Sequence, residues 1–252
     1  MWAAKLLAMM QAQVQPTPDG AIVFDADAIA QARFDPDWFE PEHWRARAAA
    51  QATTGGRGSA MFVATPIGNC VLRHYRRGGM AARILGDRYF WTGAERTRSF
   101  AEFRLLAALR DKGLPVPQPI AARHRRHGAQ YRADILTRRI DGAATLGELF
   151  MQNRLDAVAA SRVGAEVARF QARGAYHADL NAHNILLTDA AVWLIDFDRG
   201  ELRDPVRTWQ QANLARLKRS LLKLGAARNG EDEFERDLWR PLLAACEKEM
   251  AS

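Results

Sequence analysis

Three oxygen-bearing side chains in the second half of the chain have the types and spacing that phosphoryl transfer uses. Asp179 and Asn184 lie in one polar loop, and Asp196 follows a short apolar run 17 residues after Asp179. A rigid hairpin between the loop and Asp196 would bring the three side chains together. Carboxylate and amide oxygens are hard ligands that suit magnesium, and a free carboxylate beside them could accept a hydroxyl proton. The pattern therefore indicates phosphoryl-transfer chemistry.

Strands in the first half of the chain and helices in the second must position these residues. Alternating and short apolar runs bounded by turn residues predict strands at 21–24, 60–64, 70–75, 120–122 and 133–137. Helical periodicity predicts helices at about 97–111, 157–172, 206–224 and 231–248. A second short hairpin is expected over 185–195, between the polar loop and Asp196. We therefore predict an α+β fold whose strand-rich part carries one important helix.

That helix, 97–111, places an acid on its apolar face. Glu102 shares the face with Leu105, Leu106 and Leu109 at helical spacing. An unpaired buried charge is costly, so Glu102 is expected to face a partner.

The two polar segments resemble motifs of the protein-kinase-like superfamily. The loop at 177–184, H-A-D-L-N-A-H-N, is similar to the catalytic loop H-x-D-L-x-x-x-x-N. The segment at 196–198, D-F-D, is similar to the metal-binding D-F-G, with Asp in place of Gly. The resemblance implies a two-lobed fold with a β-rich N-lobe, containing an N-terminal extension and a glycine-rich loop, over 1–139. It implies a mainly helical C-lobe, with the catalytic loop and the metal-binding segment, over 140–252.

The same resemblance implies a role for each polar residue of the two motifs. Asp179 would be the catalytic base, and Asn184 and Asp196 would hold Mg²⁺. His177 would brace the loop as a structural residue. Asp198 would either touch the metal or position its neighbour, and the sequence leaves both roles open.

The resemblance extends to the nucleotide-binding parts of the first half. Gly55, Gly56 and Gly58 are similar to the glycine-rich loop, in which backbone N–H groups approach phosphates. Family kinases place a lysine on the third strand, but only five of the 36 basic residues here are Lys, and none lies in a suitable strand. Arg73 aligns best, so the resemblance implies that Arg73 anchors phosphates and pairs with Glu102. Arginine offers a different donor geometry from lysine.

Longer stretches are similar to one kinase family in particular, the 3-deoxy-D-manno-octulosonic acid (Kdo) kinases. The similarity covers about 20–225 and rests on the stretches 56–63, 72–79, 100–106, 113–122 and 196–200. It implies ATP-dependent phosphorylation of a Kdo hydroxyl on Kdo-lipid A in lipopolysaccharide inner-core synthesis. It also implies peripheral attachment to the cytoplasmic face of the inner membrane. Little room follows Asp198 for a peptide-docking segment, so no protein substrate is expected.

The charge of the chain is compatible with an anionic, membrane-held acceptor. The formal net charge is +7, and an arginine-rich stretch at 121–140 contains one acid, Asp134. This stretch would meet the sugar carboxylate or lipid phosphates, or would be a solvated surface. Helix 206–224 is basic and amphipathic, which is typical either of a membrane-surface helix or of a core helix with a charged outer face. The apolar segment 2–10 is a further possible attachment.

Other features of the sequence exclude some classes of protein. No apolar run has the length of a membrane span, and no signal peptide is expected. The two cysteines have no spacing typical of zinc sites or disulfide frameworks. Nucleic-acid binding is not expected, because no recognised motif accompanies the charge.

Two alternatives to a Kdo kinase stay open from the sequence. A related lipopolysaccharide heptose kinase, or another small-molecule kinase, would have the same motifs. A non-catalytic pseudokinase that binds lipid or protein would explain the missing strand lysine.

Overall fold

The computed structural model of the chain describes residues 12–30, 34–47, 50–52, 60–76, 86–228 and 230–251. Two compact units divide the chain, Met1–Ala108 with Pro117–Asp141, and Leu109–Val116 with Gly142–Ser252. Strands dominate the first unit and helices the second, so the α+β class is confirmed. The apolar segment 2–10 and the glycine-rich stretch with Gly55, Gly56 and Gly58 lie outside the described residues.

One antiparallel sheet forms the first unit. Its strands are β1 (Ala12–Thr17), β2 (Gly20–Asp25), β3 (Ala50–Ala52), β4 (Ala60–Thr65), β5 (Gly68–His74), β6 (Tyr89–Phe90), β7 (Pro119–His127) and β8 (Gln130–Arg138). They lie in the order β1-β2-β7-β8-β5-β4-β3, and β6 pairs with β8. The hairpins β1/β2, β4/β5 and β7/β8 each have a two-residue connection, the short loop typical of antiparallel neighbours. Gly68 has a φ of 112°, which a glycine adopts without steric cost.

Aromatic and aliphatic side chains fill the core on one face of this sheet. A 3₁₀ turn (Pro36–Phe39) and helix α1 (Pro41–Ala46) supply Trp38, Phe39 and Trp44, all at most 3% exposed. The Trp44 indole N–H donates to the Trp38 carbonyl at 2.8 Å, so the buried indole keeps a hydrogen bond. Trp38 and Trp44 are therefore core residues.

Among the described residues of the strand-rich part of the chain, helix α2 (Arg98–Asp111) is the one long helix. Phe100, Phe103 and Leu106 are buried, and the Glu102 side chain is buried with them. Gly113, with a φ of 71°, follows the last turn in the left-handed conformation that commonly ends helices.

The second unit contains the other helices that the structure describes. They are α3 (Leu146–Met151), α4 (Ala157–Ala172), α5 (Arg207–Lys223), α6 (Glu231–Phe234), a π-helical turn (Glu235–Trp239) and α7 (Arg240–Met250). Helices α4 and α7 pack closely, and a Cβ atom added at Gly164 would lie 2.0 Å from the Leu242 carbonyl oxygen. Glycine is therefore needed at this crossing. The helix expected over 231–248 is present as a contiguous helical stretch over 231–250, in which the π-helical turn replaces α-helical geometry for five residues.

Short strands carry the polar loop of the second unit. They are β9 (Ala144–Thr145), β10 (Ala175–Tyr176), β11 (Ile185–Leu187), β12 (Val192–Leu194) and β13 (Glu201–Leu202). Strands β11 and β12 form the expected hairpin, β9 joins β11, and β10 pairs with β13. Helix α5 buries Leu217 and Leu221, which makes it a core helix with a charged outer face. None of the helices described is both long enough and apolar enough to cross a lipid bilayer.

Candidate active site

His177 joins the two polar segments of the second unit. The Asp179 backbone N–H donates to His177 Nδ1 at 3.1 Å, and His177 Nε2 lies 2.9 Å from the Ile195 carbonyl oxygen. Because Nδ1 accepts, the proton belongs on Nε2, which donates to Ile195. Burial lowers the pKa of His177, so the ring stays neutral and keeps this tautomer. One imidazole thus fixes residues 177–179 against the segment that precedes Asp196.

Apolar packing and helix α5 hold His177 in turn. The His177 ring lies 4.6 Å from the Phe197 ring, and Phe197 stacks on Phe170 at 5.9 Å. The Asn213 side chain, from α5, donates to the His177 carbonyl at 2.9 Å. A buried carbonyl without a partner would cost free energy, so Asn213 stabilises this turn of the loop.

Asp179 presents its carboxylate to solvent at the head of the loop. Its side chain is 59% exposed, and its Oδ1 lies 3.4 Å from Arg216 Nη1. Asn181 Nδ2 donates to Asp179 Oδ2 at 3.2 Å. The carboxylate is therefore oriented but accessible, as a group that must reach a substrate proton has to be.

Asn184 and Asp196 offer oxygen atoms beside this carboxylate. The Asn184 amide nitrogen donates to the Asp179 carbonyl at 2.9 Å, so its oxygen is the atom it can present to a cation. The Ile195 N–H donates to the Asn184 carbonyl at 3.0 Å, which ties the segment before Asp196 to the loop. The charges of Asp179 and Asp196 both act to raise the pKa of His177 against the larger effect of burial, so both carboxylates lie near that ring.

Asp196 also has an unusual backbone conformation. Its φ is 61°, in the left-handed region that non-glycine residues rarely occupy. Strain of this kind concentrates at functional sites. An exposed carboxylate and an amide oxygen are the hard donors that Mg²⁺ prefers, so Asn184 and Asp196 fit the metal-binding roles expected from the sequence. Asp198 is half-buried, and its role stays a prediction.

The first unit contains a separate cluster of charged residues on β5 and α2. Arg73 Nη2 lies 2.5 Å from both Oε1 and Oε2 of Glu102, whose side chain is 3% exposed. The Tyr75 hydroxyl donates to Glu102 Oε2 at 2.5 Å. The Arg73 guanidinium lies 4.6 Å from the centre of the Tyr75 ring, within cation–π range. The structure thus brings Arg73 and Glu102 together, and Tyr75 contacts both.

His74, between them, connects a second set of ionisable groups. Its Nδ1 lies 2.7 Å from Asp134 and its Nε2 lies 2.9 Å from Asp87. The hydrogen bond to Asp134 and the charges of both carboxylates raise the pKa of His74 against the effect of burial. Arg123 donates to Asp134, and Arg132 donates to Asp87. Each acid therefore lies between two cationic groups.

The arginines of the stretch 121–140 mostly have partners within the protein. The partners are Asp134 and Glu40 for Arg123, Glu40 for Arg125, the Gly128 carbonyl for Arg126, Asp87 for Arg132, the Ile67 carbonyl for Arg138, and Asp141 for Arg139. Arg123 is also only 6% exposed. Four of these six arginines pair with carboxylates, whereas Arg126 and Arg138 contact only backbone carbonyls. The ion pairs offset part of the positive charge, which counts against the interpretation of this stretch as an anion-binding patch.

Three residues around these sites had no role assigned from the sequence. Tyr75 lies two residues after Arg73, and residues two apart in a strand point to the same face. This alternation is a weak signal that Tyr75 lies beside Arg73. Asn213 interrupts the buried face of α5, and a polar residue on an apolar stripe indicates a buried hydrogen bond. Arg216 had no distinguishing signal among the other basic residues of that helix.

Comparison with known proteins places these sites in a family. The model described as "Lipopolysaccharide kinase (Kdo/WaaP) family" matches residues 41–244. A 3-deoxy-D-manno-octulosonic acid kinase of Stenotrophomonas maltophilia (strain R551-3) is 50% identical over 220 residues, which cover 84% of each chain. A protein with the same name from Xylella fastidiosa (strain M23) is 49% identical over 223 residues, covering 88% of each chain.

Two solved structures are more distantly similar. WaaP in complex with acyl carrier protein is 20% identical with a TM-score of 0.46, over 84% of this chain and 96% of that chain. Glucosamine kinase is 16% identical with a TM-score of 0.49, over 98% of this chain and 84% of that chain. These scores are too low to support an argument, so the assignment rests on the family model and the close relatives. On that basis the chain belongs to the lipopolysaccharide kinase (Kdo/WaaP) family.

Proposed function

We propose that the chain transfers the γ-phosphate of ATP to a hydroxyl of the Kdo residue on Kdo-lipid A. The observation that carries the proposal is the exposed Asp179 carboxylate, oriented through the neutral His177 and accompanied by Asn184 and Asp196. Relatives near 50% identity that are named for this activity support the acceptor. The proposal includes an N-lobe over 1–139 and a C-lobe over 140–252.

In this mechanism Asp179 accepts the proton of the acceptor hydroxyl while the oxygen of that hydroxyl bonds to the γ-phosphorus. The bond to the bridging oxygen breaks, and ADP leaves with that oxygen. Asn184 and Asp196 would hold Mg²⁺, which offsets the charge of the phosphates when it is bound. His177 keeps the base and the metal-binding segment in register through backbone atoms.

The nucleotide phosphates are assigned to residues of the first unit. Arg73, oriented by Glu102 and Tyr75, would contact them with its guanidinium. Gly55, Gly56 and Gly58 would place backbone N–H groups against them. Kdo-lipid A is a lipid-linked acceptor, so the proposal also places the protein peripherally at the cytoplasmic face of the inner membrane, without a protein or nucleic-acid substrate.

Transfer of labelled phosphate from ATP to Kdo-lipid A tests this function. Asp179→Asn should lower kcat by about 10²–10⁴ and leave the circular dichroism spectrum unchanged. Asp189→Asn is the matched control, because Asp189 is an exposed acid in the β11–β12 turn. Labelling should also require added magnesium. Labelling of a heptosylated core instead of Kdo-lipid A would indicate a related sugar kinase. A folded protein that labels neither acceptor would favour the pseudokinase alternative.

A further inference from the structure

Helix α5 carries an exposed row of cations that begins at the candidate catalytic base. Arg216, Arg219 and Lys223 are spaced at i, i+3 and i+7, so they lie on one face of the helix. All three are exposed, and the 17 residues of α5 include no Asp or Glu. We call Arg216, Arg219 and Lys223 the α5 basic row. Arg216 lies 3.4 Å from Asp179 Oδ1, so the row extends directly from the place where an acceptor hydroxyl must lie.

The two outer members of the row differ from the arginines of 121–140 in what they contact. Arg219 and Lys223 make no hydrogen bond or ion pair with any described residue, whereas the arginines of 121–140 mostly do. Lys218, on the same helix but outside the row, pairs with Glu235. Arg219 and Lys223 therefore carry positive charge that no described acid compensates, on the face of α5 that begins at the Arg216–Asp179 pair.

We propose that the α5 basic row binds the anionic groups of the lipid-linked acceptor. Arg216 would bind the carboxylate of the acidic sugar beside the catalytic base, because a guanidinium pairs well with a carboxylate. Arg219 and Lys223, further along the helix, would bind phosphates of the lipid. The inference rests on the proposed function for its acceptor, and it assigns acceptor recognition to α5 rather than to the arginine-rich stretch 121–140.

Kinetics with Kdo-lipid A in neutral detergent micelles tests the row. The double variant Arg219→Gln, Lys223→Gln should raise the KM for the acceptor by about tenfold, the expected effect of losing two exposed ion pairs. The KM for ATP and the kcat at saturating acceptor should not change, since neither residue contacts Asp179. Raising the salt concentration should weaken acceptor binding more in the wild type than in the double variant.

Arg207→Gln is the matched control. Arg207 is an exposed cation of the same helix, nine residues before Arg216 and so about half a turn away around the axis. It should leave the acceptor KM unchanged. An unchanged acceptor KM in the double variant, or an equal rise in Arg207→Gln, would overturn the proposal, because the effect would then not belong to this face.

Arg216 is tested through acceptor choice. The wild type should prefer the free carboxylate of the acceptor over its methyl ester by about tenfold, and Arg216→Gln should lose that preference. An intact preference in Arg216→Gln would refute the assignment of the carboxylate to this residue.

Direct binding separates the row from the rest of the proposed function. Wild type and double variant are titrated without ATP against Kdo-lipid A micelles and against phosphatidylglycerol vesicles that contain no acceptor. If the double variant binds Kdo-lipid A micelles more weakly than the wild type does, and binds the vesicles as well as the wild type does, the row is supported even if no phosphate transfer is found. An equal loss of binding to the vesicles would overturn it in favour of a membrane-surface contact.

Discussion

The Tyr75 hydroxyl gives a quantitative test of the Arg73–Glu102 cluster. Tyr75 is 3% exposed, and its hydroxyl lies 2.5 Å from Glu102 Oε2. Tyr75→Phe removes that hydrogen bond and keeps the ring beneath the Arg73 guanidinium. A buried hydrogen bond to a charged group contributes about 1.5–3 kcal/mol. Because Arg73 still pairs with the carboxylate, we expect a loss near the lower half of this range, about 2 kcal/mol.

Thermal and urea denaturation would measure the change. For a chain of this length, a loss of about 2 kcal/mol lowers Tm by roughly 4–8 °C. Tyr131→Phe is the matched control, since the buried Tyr131 hydroxyl accepts a hydrogen bond from the Arg98 backbone N–H at 3.1 Å. A bond between neutral groups contributes less, so this control should lose only about 1 kcal/mol.

Enzyme kinetics would connect the same substitution to function. If Tyr75 fixes the guanidinium that contacts the nucleotide phosphates, Tyr75→Phe should raise the KM for ATP and leave the KM for the acceptor unchanged. A Tyr75→Phe protein as stable as the wild type, to within about 0.5 kcal/mol, would refute the view that this hydroxyl supports Glu102.

Two further substitutions test other parts of the fold. His74 has a raised pKa because of its hydrogen bond to Asp134 and the nearby Asp87, so its contribution to stability is complete below the usual value of 6.5 and is lost as pH rises through the raised pKa. The free energy of unfolding of the wild type, measured in urea, should therefore fall as the pH rises above 6.5, and His74→Gln should remove that dependence. Parallel curves of unfolding free energy against pH for the two proteins would contradict the assignment. Gly164→Ala should destabilise the protein by about 1–3 kcal/mol, because the added Cβ meets the Leu242 carbonyl; calorimetry that finds the variant as stable as the wild type would contradict the close crossing.

Much of the fold follows from local patterns in the sequence. The β4/β5 and β11/β12 hairpins and the long helices appear where periodicity and turn residues predict them. Strand β1 was missed because it contains Pro16 and lies exposed at the edge of the sheet, where proline is tolerated. The π-helical turn was missed because its sequence continues a helical pattern.

The ion pairs are harder to predict from the sequence than the strands and helices. A buried acid at Glu102 indicates that a cation must be near, but only a resemblance suggested Arg73. The arginines of 121–140 were counted as one patch because some of their acidic partners lie far away in the chain, Glu40 being 83 residues before Arg123 and Asp87 45 residues before Arg132. Composition gives the number of charges, whereas tertiary contacts decide which of them remain unpaired.

The hydrogen bonds of the His177 ring have a practical consequence. Both of its ring hydrogen bonds go to backbone atoms, at Asp179 and Ile195. The scaffold of the loop therefore does not depend on the carboxylates that it displays. Replacing Asp179 or Asp196 by the isosteric amide should give inactive proteins with the native backbone, and such proteins are suited to capturing nucleotide and acceptor together before any phosphate moves.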